Sequence, residues 1–398
     1  MLRLLQRKIS LGKNISWPVI HMLWFGLSLI TTLSELLRGV RNANNYQIFK
    51  NVIYHTLAQT NLFAPYPDAH FDTNHYGIVF SLFIAPFALI PDWLGCFCWC
   101  MANAALLWYA IRMIPADEAK KTAILGILLI ELQTSLHNTQ FNPMMAAFIL
   151  LAFLLTYRKK EWAAAFFILA GFYIKIYGIV ALSAFFFSRH KPRFIGWCLI
   201  WAVVLFCLPM LFSSPAFTID SYADWLNSLT EKNDQNTSLG IVFGQNISAH
   251  GMLQRIFDLP GLSQLWILIP AACIQLIPLV RFRQWKSAEF ILLYAASCLI
   301  ATTIFSSSAE SATYVIAVTG AAIWFVYSPL EEKWKKAILV FLFLFTILSP
   351  TDLYPEFIKR GFFVAYSLKA LPCLLIWVLI AAQLIRHNFA ANLRKEDA

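Results

Sequence analysis

The sequence predicts an all-α integral membrane protein. Of its 398 residues, 59% are hydrophobic and only 13% are charged, with a mean hydropathy of +0.63. Soluble domains carry about 25% charged residues, so this chain is not solvated on all sides. Long apolar runs repeat along it, and two polar stretches, residues 38–75 and 213–260, interrupt them. A protein that carries two structured polar loops between its spans is predicted to do chemistry at the membrane surface.

The apolar runs define the expected helices. They cover residues 17–37, 76–90, 93–111, 122–133, 143–157, 162–187, 194–212, 262–279, 290–305, 312–327, 337–348 and 362–385. A spanning helix needs about 20 residues, so the shorter runs are expected to be tilted pairs or re-entrant pieces, giving about 11–13 spans. Barrel strands would alternate polar and apolar residues instead.

Charge placement predicts the topology. Short basic clusters at residues 3–13, 158–160, 189–193, 281–286, 333–336 and 386–395 are typical of cytoplasmic loops. The N-terminus is therefore expected in the cytoplasm, and both polar loops outside it, in a multi-pass protein of the plasma (inner) membrane. Residues 76–160 stay unassigned, because Arg112, Lys120 and Lys121 would fall on the outer face. We expect one domain, residues 1–398, that binds membrane lipids and no nucleic acid.

Each polar loop is expected to contain a helix. Residues 45–60 place Tyr46, Phe49, Val52, Ile53 and Leu57 at helical spacing, which indicates an amphipathic helix on the bilayer face. In the second loop, SYADWLNSLTEKNDQNTSLG predicts a helix that ends near Gly240.

Lys175 is the first candidate binding residue. It lies near the middle of run 162–187, as GFYIKIYG, where a charge is costly and is by default functional. Its ammonium suits a lipid phosphate. The alternatives are an ion pair, for example with Glu131, and snorkelling to one face.

Amides and one arginine complete the candidate binding set. Gln140 and Asn142 lie in the polar break HNTQFNP, where they suit sugar hydroxyls, although Asn142 also suits a helix cap. Arg255 can hold a phosphate oxygen bidentately or anchor the chain at the interface.

Few acids are candidates for a catalytic base. Asp72 precedes a span, Glu310 lies in SSSAESATY between two spans, and Asp352 lies in SPTDLYP at a span end. The basic-loop count places all three on the outer face, where a carboxylate can act as a base. Each also suits a solvated position or a helix cap. No metal-ligand constellation and no cofactor motif is visible.

Several short motifs resemble glycosyltransferase family 87. They are NNYQIFK, LAQTNLFAPYP, HYGIVFSLFIAPFALIP, NTQFNP, AGFYIKIYG and VFGQNISAHGMLQR, in family order over most of residues 40–260. The resemblance implies a GT-C-like bundle that moves a hexose, most often mannose, from a polyprenyl-phosphate donor to a lipid or glycan acceptor. It also implies substrate contacts at Asn45, Tyr46 and Asn246.

The sequence departs from the family at two positions. Asn45 stands where many members have an acid, and SSSAESATY stands where a histidine is common. An amide cannot act as a base, so Asp72 or Glu310 is expected to take that role in an inverting displacement. The alternatives are a lipid-glycan flippase, which transfers no sugar, and a surface-glycan polymerase or ligase, which usually needs more outer arginines.

Overall fold

The protein is helical almost throughout. The computed structural model describes residues 2–12, 15–238 and 245–391. The α-helices are α1 Leu2–Gln6, α2 Val19–Leu37, α3 Asn44–Ala58, α4 Phe80–Ala88, α5 Asp92–Arg112, α6 Glu118–His137, α7 Asn142–Tyr157, α8 Glu161–Ile174, α9 Lys191–Cys207, α10 Pro215–Thr237, α11 Ala249–Phe257, α12 Leu265–Leu276, α13 Ala288–Ile304, α14 Tyr314–Tyr327, α15 Glu332–Leu342, α16 Glu356–Ile358 and α17 Ala370–Arg386.

Tighter and wider helical turns extend several of these helices. The 3₁₀ segments are Val40–Asn42, Ile176–Phe187, Leu208–Leu211, Ile277–Val280, Phe282–Gln284, Ser311–Thr313 and Phe389–Ala391, and the π-helical ones are Phe343–Ile347 and Lys359–Val364. The sequence did not predict one short hairpin: β1 Lys8–Gly12 pairs antiparallel with β2 Ile15–Pro18.

The helices fit a membrane protein. Among the described residues, three helices are long and apolar enough to span a bilayer, Val19–Leu37, Asp92–Arg112 and Lys191–Leu211, and seven further apolar helices have 10–17 residues. Each predicted apolar run contains a helix. The expected all-α membrane architecture is therefore confirmed, while the number of spans stays a prediction.

The chain divides into two compact units. Unit 1 comprises residues 1–114 and 132–231, and unit 2 comprises residues 115–131 and 232–398. In unit 1, α7 is buried along nearly its whole length and packs against α5, α8 and the segment Ile176–Phe187. In unit 2, α13, α14 and α17 pack against one another, and α13 and α14 are almost entirely buried.

The run 162–187 is not one helix. It breaks at Lys175, whose backbone is extended (φ −148°, ψ 120°), between α8 and the segment Ile176–Phe187. The two pieces fold back on each other, since a Cβ at Gly178 would lie 2.2 Å from the carbonyl carbon of Gly171. Lys175 therefore occupies a turn between two short helices rather than the middle of one helix, while its depth in the membrane stays a prediction.

Both polar stretches contain the expected helix. In the first, α3 buries Tyr46, Phe49, Val52 and Ile53 inside the protein, so this face does not lie on the bilayer as predicted; Leu57 is exposed. The ring centroid of Phe49 lies 4.8–5.8 Å from those of Tyr76, Phe80 and Trp99. In the second, α10 begins at Pro215 and ends at Thr237; its predicted end near Gly240 lies outside the described residues.

Candidate functional site

A cationic cleft of about 390 Å³ opens in unit 2. Lys359, Arg360 and Lys369 line it together with one acid, Glu356. The remaining lining residues are apolar or carry hydroxyl groups: Ile247, Ser311, Ser349, Pro350, Phe363 and Val364. The cleft therefore offers three cations beside an apolar wall, a combination that suits a lipid-linked anion.

Ion pairs fix the outer cations of this cleft. Lys359 Nζ lies 3.0 Å from Asp352 Oδ1 and 3.0 Å from Glu356 Oε2, and Arg360 Nε lies 2.5 Å from Glu356 Oε1. The hydrogen bonds that Glu356 accepts from Lys359 and then Arg360 lower the pKa of Glu356. The hydrogen bonds that Lys359 donates to Asp352 and then Glu356 raise the pKa of Lys359. Glu356 is therefore a weak base, and Lys359 remains a cation.

A buried ion pair holds the inner cation. Lys369 Nζ lies 2.8 Å from Glu131 Oε1, and the two side chains are 4% and 0% exposed. The ammonium also lies 4.9 Å from the ring centroid of Tyr314. Among the described residues, Glu131 Oε2 has no hydrogen-bond partner. Glu131 therefore pairs with Lys369 and not with Lys175, the partner that one alternative had given it.

The segment 245–247 brings Glu310 next to this cleft. Gln245 Nε2 donates to Glu310 Oε1 at 2.8 Å, and the backbone N–H of Ile247 donates to Ala309 O at 2.8 Å. Glu310 also caps the turn Ser311–Thr313 through its side chain. Ser311, the next residue in the chain, lines the cleft, and so does Ile247, whose backbone is bound to Ala309. The half-buried Glu310 therefore neighbours the cleft without lining it.

Asn246 and Arg255 build the same segment. Asn246 adopts the left-handed conformation (φ 52°), which asparagine tolerates well, and its Oδ1 accepts from Ser248 Oγ at 2.6 Å. A Cβ at Gly251 would lie 2.0 Å from Asn246 O, so this approach requires glycine. Arg255 donates to Gln245 O at 3.0 Å and to Ser367 Oγ. The structure thus brings together three of the expected site residues: Glu310, Asn246 and Arg255.

A second group of expected residues meets in unit 1. Lys175 Nζ donates to Asn142 Oδ1 at 3.2 Å and lies 4.6 Å and 5.4 Å from the ring centroids of Tyr177 and Tyr76. Tyr76 in turn contacts Gln140 Oε1 through its hydroxyl at 3.4 Å. Aromatic faces favour a nearby ammonium. Lys175, Asn142 and Gln140 therefore form one polar cluster.

Asn45 and Tyr46 make internal contacts. Asn45 Nδ2 donates to Asn138 O at 2.8 Å, which ties α3 to the turn before Gln140. Tyr46 is 0% exposed, and its hydroxyl donates to Phe87 O at 3.0 Å. Tyr46 therefore packs in the core of unit 1 and is closed to a substrate in this structure.

The other two candidate bases are exposed. The side chain of Asp352 is fully exposed and engages Lys359. Asp72 is exposed as well, and its Oδ1 accepts from the backbone N–H of Thr73 at 2.8 Å. Neither carboxylate has the half-buried setting of Glu310.

The family model of glycosyltransferase family 87 matches residues 74–309, more than half of the chain. The chain belongs to glycosyltransferase family 87. The resemblance is thereby confirmed, and this family 87 member is a membrane glycosyltransferase. The matched region contains Lys175, the segment 245–247 and α11. No curated protein matches the chain.

Most residues of the cleft were not predicted from the sequence. Lys359, Glu356 and Lys369 were not candidates, and all three follow the family 87 match. One signal was present: Lys369 in SLKALP, like Lys175, is a lone cation beside apolar residues.

Proposed function

We propose that this family 87 member transfers a hexose, with mannose as the first candidate, from a polyprenyl-phosphate donor to a lipid or glycan acceptor. The reaction would take place on the outer face of the plasma membrane and invert the anomeric centre. The observation that carries the proposal is the cationic cleft, whose lining residue Ser311 directly follows the half-buried Glu310.

The donor phosphate is assigned to the cleft. The donor is a phosphodiester, and its leaving group, polyprenyl phosphate, is a stable phosphomonoester anion. This leaving group needs cations to stabilise its charge rather than an acid to protonate it. Arg360 offers a planar fork to two phosphate oxygens, and Lys359 offers a compact charge. The apolar wall made by Ile247, Phe363 and Val364 suits the first units of a polyprenyl chain. Arg255 supports the cleft by holding Gln245 and Ser367.

Glu310 is the proposed base, because Glu356 in the cleft and Asp352 beside Lys359 are both engaged. Glu356 and Asp352 are ion-paired to cleft cations, whereas the partners of Glu310 include a neutral amide. Glu310 would take the proton of the acceptor hydroxyl while that oxygen bonds to the anomeric carbon. The bond from the anomeric carbon to the phosphate oxygen breaks, and its electron pair leaves with polyprenyl phosphate. Asp72, the other expected base, lies in unit 1, and its role stays a prediction.

The polar cluster of unit 1, taken by itself, is a separate candidate for binding sugar hydroxyls. Gln140 and Asn142 carry both donors and acceptors, and Lys175 supplies a charge-assisted donor. Lys175 is the alternative holder of the phosphate, and Asn45 positions the turn that carries Gln140.

A reconstituted transfer assay tests this function. Purified protein in lipid nanodiscs is incubated with radiolabelled polyprenyl-phosphate mannose and a membrane-lipid extract, and in parallel with a nucleotide mannose. We expect labelled product from the polyprenyl donor alone, with the opposite anomeric configuration by NMR. Equal transfer from the nucleotide sugar, or no transfer from any polyprenyl-phosphate hexose by folded protein, would refute the proposal.

A further inference from the structure

A second cavity of unit 2 differs from the cleft in its chemistry. Its volume is about 450 Å³. It lies where the end of α10 and α11 meet the segment 260–265 that leads into α12. None of the described residues that line it is charged, and six of them carry amides or hydroxyls: Asn233, Thr237, Ser238, Gln254, Ser263 and Gln264. Such a lining does not suit a phosphate, because it offers no cation. It suits the hydroxyl groups of a ligand, which can bond to its amides and hydroxyls.

The lining offers both a donor and an acceptor. Asn233 Oδ1 accepts from Ser307 Oγ at 2.7 Å, and Gln264 Nε2 donates to Phe305 O at 3.2 Å. Among the described residues, no partner is seen for the amide nitrogen of Asn233 or the amide oxygen of Gln264. A sugar hydroxyl both donates and accepts. A polyol can therefore satisfy both groups at once.

Exposed apolar side chains begin where the cavity ends. Leu265, the last lining residue, is 61% exposed, and Trp266 and Ile269 on the following turns of α12 are 77% and 60% exposed. Helix α12 and the turn Ile277–Val280 form one of the apolar helices. A molecule whose polar head fills the cavity can thus keep its hydrocarbon chain along α12.

Hydrogen bonds connect this cavity to the proposed base. Asn233 holds Ser307, and Asn236 Nδ2 donates to Ser308 Oγ at 3.2 Å, so α10 fixes the turn that leads to Glu310. Gln254 accepts from Asn246 Nδ2 at 3.4 Å, next to the residue that orients Glu310. A ligand in the cavity therefore lies on elements that also position Glu310.

We propose that this cavity binds the uncharged polyol head of an amphiphile, and that this amphiphile is the glycosyl acceptor. The role of this amphiphile as acceptor rests on the proposed function. Its binding in the cavity does not depend on sugar transfer. Neither a free glycan nor an anionic lipid fits the combination of an uncharged polar lining and an adjacent helix with exposed apolar side chains.

Direct ligand binding to the protein in lipid nanodiscs tests the cavity without any turnover. The probes are tritiated decyl glucoside, free maltose as a polyol without a chain, and phosphatidylglycerol as an anionic competitor. Gln264→Leu removes the amide acceptor, and Gln235→Leu makes the same change at an exposed site of α10 that does not line the cavity. We expect Gln264→Leu to weaken decyl glucoside binding about tenfold, as for the loss of one or two hydrogen bonds, and Gln235→Leu to leave it unchanged.

The outcomes separate this inference from the proposed function. Maltose binding as tight as decyl glucoside would assign the cavity to a free glycan, and displacement by phosphatidylglycerol would assign it to an anionic head; either result overturns the proposal. Unchanged glycoside binding in Gln264→Leu overturns it too, even where wild-type protein transfers sugar. If Gln264→Leu binds decyl glucoside about tenfold more weakly and the wild-type protein transfers no sugar, the result supports the cavity as a binding site. It then rejects only the transfer reaction.

Discussion

Lys369 and Glu131 are 238 positions apart in the chain and form a buried ion pair, with 2.8 Å between Nζ and Oε1. Lys369 lines the cleft, and Glu131 lies behind it without exposure. A buried pair that loses one partner leaves an uncompensated charge, whereas replacement of both partners by neutral groups is often tolerated. This difference separates a structural role of the pair from a role in binding the donor.

Replacing Lys369 alone is predicted to damage the fold. Lys369→Met leaves the Glu131 carboxylate buried and unpaired, and we expect a loss of about 3–5 kcal/mol in unfolding free energy. The double variant Glu131→Gln with Lys369→Met should recover most of this stability. Thermal unfolding in detergent compares the two. If the stable double variant also binds the donor as well as wild type does, Lys369 is purely structural.

The outer cations of the cleft are predicted to bind the donor phosphate. Lys359→Met and Arg360→Leu each remove one charge-assisted hydrogen bond, which is worth about 1.5–3 kcal/mol, so the KM for the donor should rise about 10- to 100-fold. Initial rates at varied donor concentration measure this. Lys333→Met is the matched control, because Lys333 is exposed, pairs with Glu331 and does not line the cleft. An equal effect in all three variants would indicate a general charge effect instead.

The turn at Lys175 is predicted to require glycine at position 178. Gly178→Ala would place a Cβ 2.2 Å from backbone atoms of Gly171 and Phe172. Overpacking of this kind costs about 1–3 kcal/mol, so the Tm should fall and the Lys175 cluster should shift. Gly196→Ala is the control, because nothing lies within 4 Å of that position. A Gly178→Ala protein with wild-type Tm would contradict the described turn.

The affinity for the donor is predicted to be independent of pH near neutrality. Lys359 and Arg360 lower the pKa of Glu356. The ion pairs through which Glu356 holds these two cations are therefore lost only as the pH falls below the ordinary range for a glutamate, about 4.3. The pKa of Lys359 is raised, so its contribution is lost only as the pH rises above about 10.4. The KM for the donor between about pH 6 and 9 should be flat; a step within that window would show that another group controls binding.

Hydropathy was sufficient to predict the helices but not their interruptions. Lipid forces every apolar run to close its own hydrogen bonds, so runs such as 194–212 became helices as expected. The break at Lys175 left no trace in hydropathy, because its neighbours are apolar on both sides. The paired glycines of GFYIKIYG were the only local sign of it, since they permit two backbones to touch.

The site was only partly predictable for a different reason. Asn246 and Arg255 were identified within a family motif, and Glu310 as one of the few acids between spans. The three come together because the segment 245–255 folds against residues 309, 310 and 367. The pair of Glu131 with Lys369 joins distant parts of the chain, and one sequence holds no record of such pairing. In the charged turn at residues 352–360, only Asp352 was a candidate site residue. In the structure it forms an ion pair with Lys359, a cation of the cleft.

The most direct test concerns Glu310. Transfer of labelled mannose by Glu310→Gln, a change that preserves shape, should fall about 10²- to 10⁴-fold in kcat, as for loss of a general base, with the KM for the donor within about twofold of wild type. Asp352→Asn, at a fully exposed carboxylate of the same unit, should keep nearly all of kcat. A Glu310→Gln protein that transfers at the wild-type rate would show that this carboxylate is not the base.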